Sequence, residues 1–211
     1  MPGSPQPLTA DHVRRALSGT RIPPDPLAVD LAHIRDLMPA SMAQQLSGQL
    51  RPAGVLIPLI ERQDSLSVLL TERSADLRQH AGQVSFPGGG MDEHDVDIAA
   101  TALREAHEEV GIHPALVDIA GYLSPSLTIT GFAVTPVIGF VAPSFELRVD
   151  PVEVAMAFEV PLDFLMDQRN EEHSEREFSG TRLPVVTFHY AGHRIWGATA
   201  SMLVMLRKIL T

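Results

Sequence analysis

The 211-residue sequence contains no cysteine, one lysine and one tryptophan. The first absence excludes disulfides, thiolate metal sites and a thiol nucleophile together, and fits a reducing compartment. The single lysine is Lys208, which excludes a Gly-Lys-Ser/Thr phosphate loop and a Schiff-base lysine near the glycine-rich stretch at 88–90. Every other basic side chain apart from histidine is arginine, whose planar fork favours two-pronged phosphate contacts over point-charge ones. No long apolar run opens the chain, so neither a signal peptide nor a membrane span is expected, and Ile209-Leu210-Thr211 is not a peroxisomal address. A cytoplasmic setting is the expectation. Sixteen basic against 26 acidic side chains leave a formal net charge of −10, which argues against general nucleic-acid binding.

What is present points to one domain with an N-terminal extension. The hydrophobic content of 45% supports a sizeable core. Residues 1–50 are expected to form a helical extension, with Thr9 capping a segment through Leu17 and a second helical pattern starting at Val29 and broken by Pro39. Such an extension packs on its domain or makes an oligomer contact, so a homodimer is an open expectation. Residues 51–211 are expected to form the main domain. From Gly54 short apolar runs take over, Val55 to Ile60 and Leu66 to Thr71, separated by the polar turn Glu61 to Ser65, which reads as a hairpin. Further strands are expected at Gln83 to Phe86, Val117 to Leu123, Phe132 to Val141, Val154 to Val160, Val185 to Tyr190 and His193 to Trp196, with a closing helix from about Thr199 to Leu210. The fold class is α+β or mixed α/β, a mixed sheet between helices.

The densest signal lies between Gly88 and Ile112: three glycines, an acidic stretch, a helix and a terminating glycine. At about 100° per residue, Glu105, Glu108 and Glu109 fall at i, i+3 and i+4 on one face, with Arg104 beside them. Ala99, Leu103, Ala106 and Val110 form an apolar stripe on the other side, suited to packing on a sheet. Three crowded carboxylates repel unless cations neutralise them. Hard oxygen donors without cysteine or clustered histidine select Mg²⁺ or Mn²⁺. His107-Glu108 suggests a zinc-protease helix only superficially, because the second histidine would fall on Gly111.

The spacing Arg104-Glu105-x-x-Glu108-Glu109-x-Gly111, followed by Ile112 and preceded by the glycine loop, closely resembles the signature of the Nudix hydrolases. That resemblance implies a Nudix-type α/β/α sandwich with a central catalytic helix and cleavage of nucleoside diphosphates linked to another group. One acid departs from the common pattern: counted from Gly89, an aspartate, Asp95, stands where a glutamate is usual, and the stretch to Arg104 is one residue longer. Asp95 could also cap the helix, and Val96 takes the place a strict count from Gly90 would give to glutamate. Just upstream, the run from Leu69 to Gly89, Leu-Leu-Thr-Glu-Arg-Ser-Ala-Asp-Leu-Arg-Gln-His-Ala-Gly-Gln-Val-Ser-Phe-Pro-Gly-Gly, resembles the extended motif of the coenzyme A diphosphatase branch. That branch shows the same lengthened box with aspartate at the early acid.

The resemblance implies a small CoA-like nucleotide substrate, split into 3′,5′-ADP and the (acyl-)4′-phosphopantetheine. Glu105, Glu108 and Glu109 would be metal ligands, with the Gly88 carbonyl a further candidate, and Arg104 would orient the carboxylates. Arg73, Arg78, His80, Gln83 and Gly89 would lie along the substrate, the first three in a loop entering the site. Glu153 reads as structural, with a supporting base as the alternative. The acidic run Glu171, Glu172, Glu175, Glu177 reads as a solvated mobile loop, and Trp196 as core. Other Nudix substrates (NADH, ADP-ribose, nucleoside triphosphates, 5′-modified RNA) and a non-catalytic nucleotide sensor are the competing readings.

Overall fold

A computed structural model describes residues 8–27, 50–63, 65–76, 80–178 and 180–211. The helical pattern expected from Val29 and the substrate candidate Arg78 lie outside the described residues. The first helix, α1 (Ala10–Leu17), starts where the sequence indicates, the Thr9 hydroxyl accepting from the His12 amide at 3.3 Å.

The main sheet is mixed. Strand β1 (Arg51–Arg62) runs parallel to β7 (Phe132–Val141) through ten residue pairs, Arg51 opposite Phe132 to Ile60 opposite Val141. Every other pairing is antiparallel: β2 (Ser65–Arg73) with β1, with β3 (Val84–Ser85) and with β8 (Val154–Pro161), and β5 (Val117–Tyr122) and β6 (Ser126–Leu127) with β7. The short β4 (Gly88–Gly90) pairs with the start of β1, Gly88 opposite Val55 and Gly90 opposite Ala53.

Alternation along the strands builds two cores, because successive side chains face opposite sides of a sheet. Leu56 and Ile60 of β1, Leu69 of β2, and Val137 and Val141 of β7 face one layer, formed by α2 (Ile98–Val110) through Ala99, Ala102, Ala106 and Val110. Ile57, Leu59, Val68, Leu70 and Ile138 face the other. There lie α1, a short α3 (Leu162–Met166) and α4 (Gly197–Leu210), whose Met202, Leu203, Leu206 and Leu210 are buried. The small alanines of α2 let that helix sit close on the sheet, which fixes its acidic face relative to β4. Asp97 caps its first turn, accepting from the Ala100 amide at 2.8 Å, and Gly111 ends it in a left-handed conformation (φ 77°).

A second, three-stranded sheet has the order β11 (His193–Trp196), β10 (Thr181–Tyr190), β9 (Glu171–Phe178), all antiparallel. Strand β9 corrects the sequence expectation of a mobile acidic loop. Glu171 is buried, 3% exposed at its side chain, and pairs with Arg207 of α4 and with His173. Among the described residues, no helix is long and apolar enough to cross a membrane.

Candidate active site

The acidic face of α2 meets the glycine strand β4. A Cβ at Gly89 would stand 2.6 Å from the Glu105 carboxyl group, and one at Gly88 would stand 2.5 Å from the Gly54 carbonyl oxygen and 2.6 Å from Val55 Cα. The two glycines therefore act differently: Gly88 lets two backbones touch, and Gly89 leaves room for a carboxylate against the main chain.

The three glutamates expected on one face divide. Glu109 is 3% exposed and Glu105 is 16% exposed, whereas Glu108 leans outward at 57%. Burial pushes the Glu109 carboxyl up to about 8, with Arg73 pulling against that and the charges of Glu105 and Glu153 adding to it. Burial also raises Glu105, with Arg104 opposing and Glu108 and Glu153 reinforcing. Burial and neighbouring carboxylates thus favour the protonated form of both acids, and a bound cation would favour the ionised form instead.

Arg104 ties the face to the loop before it. Its guanidinium donates to Asp95 at 3.0 and 3.1 Å, to Glu108 at 2.9 Å and to the Gly90 carbonyl at 3.2 Å, and lies 2.8 Å from Glu105. Asp95 also accepts from the Thr101 hydroxyl and the Asp92 amide. The hydrogen bond from Arg104 holds its carboxyl below the usual range. Asp95 is therefore not the helix cap; Asp97 is, and Asp95 anchors Arg104. Val96 is 89% exposed.

Arg73 is the last residue of β2 and not part of a loop. Its Nη1 lies 3.8 Å from Glu109, and its buried Nε has no hydrogen-bond partner among the described residues. Reciprocal main-chain bonds, Arg73 N to Gln83 O and Gly82 N to Arg73 O, both 3.0 Å, close the segment that follows. His80, at φ 58°, spends Nδ1 on the Gln83 side chain at 2.9 Å, so among the described residues these two side chains meet each other and not the carboxylates. Glu153 sits in the turn before β8, its carbonyl taking the Ser74 amide at 2.8 Å. The sequence favours a structural role for Glu153 over a supporting base; in the fold its charge raises both Glu105 and Glu109, so it lies in the field of the site. Position in sequence gave no signal for that, because the approach depends on β8 pairing with β2.

The donor set suits a hard divalent cation: oxygen ligands only, two of them desolvated and under mutual repulsion. Among the described residues, no three Asp, Glu or His side chains converge tightly enough to form a closed cage. Arg104 holds Glu108 to one side, while Glu105 and Glu109 flank the glycine strand.

A glycine strand facing an acidic helix on a layered α/β frame is the arrangement of the Nudix domain, and the sequence profile of that domain matches residues 50–196. The chain belongs to the Nudix family, hydrolases that act on pyrophosphate bonds and generally use divalent metals such as Mg²⁺ or Mn²⁺. It is similar to the uncharacterized Nudix hydrolase NudL of Photorhabdus laumondii subsp. laumondii, 42% identical over 165 residues, 78% of this chain and 88% of that protein. The corresponding protein of Cronobacter sakazakii is 39% identical over 180 residues, 84% of this chain and 92% of its own length. Among solved structures, a MutT/nudix family protein from Enterococcus faecalis covers 85% of this chain and 73% of its own at 14% identity, with a TM-score of 0.47. At that distance the likeness carries no further argument.

Proposed function

We propose that this chain hydrolyses the diphosphate of coenzyme A or acyl-CoA to 3′,5′-ADP and (acyl-)4′-phosphopantetheine. The observation that carries the reading is the joined motif from Leu69 to Ile112, which resembles the coenzyme A diphosphatase branch both in its upstream run and in its lengthened acidic box.

The residues divide the work as follows. Glu105 and Glu109 would hold Mg²⁺ or Mn²⁺ beside the glycine strand, with Glu108 completing the set if released from Arg104 and the Gly88 carbonyl the further candidate that the resemblance implies. When bound, the cation disperses charge on the diphosphate oxygens and lowers the pKa of a bound water. Arg104 keeps Glu105 and Glu108 in register with the loop through Asp95. Arg73, whose Nη1 lies 3.8 Å from Glu109, offers donors to a phosphate oxygen. That contact would replace the one it now makes weakly with Glu109 at 3.8 Å. Glu153 is the nearby acid outside the helix and supplies a proton acceptor on the β8 side of the site. Gln83 orders the loop beside Arg73 through its main chain, and His80 supports Gln83.

The test is a product assay: CoA with Mg²⁺ or Mn²⁺, products separated by chromatography, with Glu109→Gln as control. Release of 3′,5′-ADP and 4′-phosphopantetheine supports the reading. Intact CoA alongside cleavage of NADH or ADP-ribose would refute the substrate and leave the pyrophosphatase chemistry in place.

A further inference from the structure

On the three-stranded sheet, Arg176 of β9 and Arg194 of β11 both lie over the ring of Trp196, their Cζ atoms 4.7 and 5.1 Å from its centroid. Residues directly opposite in an antiparallel ladder share a face. Thr187 stands opposite Trp196, Leu183 opposite Arg176, and His189 opposite Arg194. All of these side chains therefore sit on one face of the small sheet, away from the face that packs Phe188 and Ile195 against α4. Thr187 is 1% exposed, and its hydroxyl has no partner among the described residues.

Among the described residues these two guanidiniums alone share one aromatic ring, and like Arg15, Arg21 and Arg51 they meet no carboxylate there. Arg14, Arg62, Arg104, Arg148, Arg169, Arg182 and Arg207 each meet a carboxylate. Among the described residues Arg176 and Arg194 have none: Glu172, on the same face, is taken by His189 at 3.1 Å, and Glu175 by Arg182 at 3.9 Å. A tryptophan ring attracts a cation but cannot neutralise it. Among the described residues the N–H edges of the two stacked guanidiniums meet no acceptor, the two charges repel each other, and an anion with several acceptor oxygens relieves both conditions.

The small sheet is joined through α4 to the segment that leads into the glycine strand. Trp196 immediately precedes α4, whose Thr199 hydroxyl donates to the Val84 carbonyl at 3.0 Å. From Val84 the chain needs only four residues to reach Gly88, at most about 13 Å of extended strand.

We infer that Arg176, Arg194, Trp196 and Thr187 form a subsite for a phosphate monoester on the nucleoside half of the substrate, remote from the bond that breaks. Identifying that monoester as the 3′-phosphate of CoA rests on the proposed function; the anion subsite itself does not.

The chain's only tryptophan is the reporter. Titrating 3′,5′-ADP into the full chain should change Trp196 fluorescence, with a Kd about tenfold lower than that of 5′-AMP. In an Arg176→Gln/Arg194→Gln double variant the two nucleotides should bind alike, and KM for CoA should rise more than kcat falls. Arg169→Gln, whose partner is Asp167, should behave as wild type. Fluorescence blind to 3′,5′-ADP, or a preference for it that survives in the double variant, overturns the subsite. Because the nucleotide titration needs no turnover, the outcomes separate. An arginine-dependent preference in a protein that leaves CoA intact keeps the subsite and removes the CoA reading. CoA cleavage with an arginine-independent preference does the reverse.

Discussion

Gly88 and Gly89 are adjacent and chemically identical, yet replacing each by alanine should break different things. At Gly89 the new Cβ would lie 2.6 Å from the Glu105 carboxyl group, whereas ordinary contact begins at 3.4 Å. The obstructing atoms end a flexible side chain, so Glu105 can retreat by about 1 Å and the fold can persist, within about 1 kcal/mol of wild type. A displacement of that size in a group that positions reactants costs about 100-fold in rate. At Gly88 the Cβ would meet main-chain atoms of Gly54 and Val55 at 2.5 and 2.6 Å, and neither can move without opening the β1–β4 pairing. Gly88→Ala should therefore cost about 3 kcal/mol and lower Tm by about 10 °C. Thermal melts and kcat/KM on the preferred diphosphate, run on both variants, decide the matter. Gly89→Ala with near-normal activity, or Gly88→Ala with an unchanged Tm, would refute the reasoning.

Three further outcomes follow from the same geometry. Glu109 titrates at about 8 in the fold against an ordinary 4.5, so its contribution to stability is fully present below 4.5 and is lost as pH rises through 8. With divalent ions chelated, wild-type Tm should fall across pH 5 to 8 relative to Glu109→Gln, and parallel curves would contradict the burial argument. Asp95→Asn removes the charge that anchors Arg104 and should lower kcat about tenfold with little change in KM, measured by steady-state kinetics. Glu171→Gln leaves Arg207 buried beside an uncharged partner and should cost about 3 kcal/mol, read by urea denaturation, without altering the preference between substrates.

The elements legible in the sequence are those whose apolar pattern is self-sufficient. Strands β7 and β11 fall on the expected residues, and α2 is bracketed by Asp97 and Gly111 because caps and glycines act locally. Strand β9 was not legible. Its sequence Glu-Glu-His-Ser-Glu-Arg-Glu-Phe has no apolar alternation, and what makes it a strand is the ladder to β10 and the anchoring of Glu171 by Arg207. The site shows the same division. Helical spacing brings Glu105 and Glu109 to the glycine strand and puts Arg104 four residues before Glu108, where the i,i+4 ion pair forms, but it cannot say that Asp95 would hold Arg104 while Asp97 caps the helix. Glu153 and the pairing of Arg176 with Trp196 come from strands distant in sequence, and Trp196, expected in the core, is instead half-buried beneath two arginines.

The central claim is that Glu105 and Glu109 together hold a divalent cation that the pyrophosphate chemistry requires. Electron paramagnetic resonance titration of Mn²⁺ into the wild type, Glu105→Gln and Glu109→Gln, with turnover followed on the same samples, tests it directly. The account predicts a saturable Mn²⁺ signal and metal-dependent turnover in the wild type, both lost in step in each variant. Wild-type protein that binds no Mn²⁺, or variants that lose the ion and keep full turnover, would contradict it.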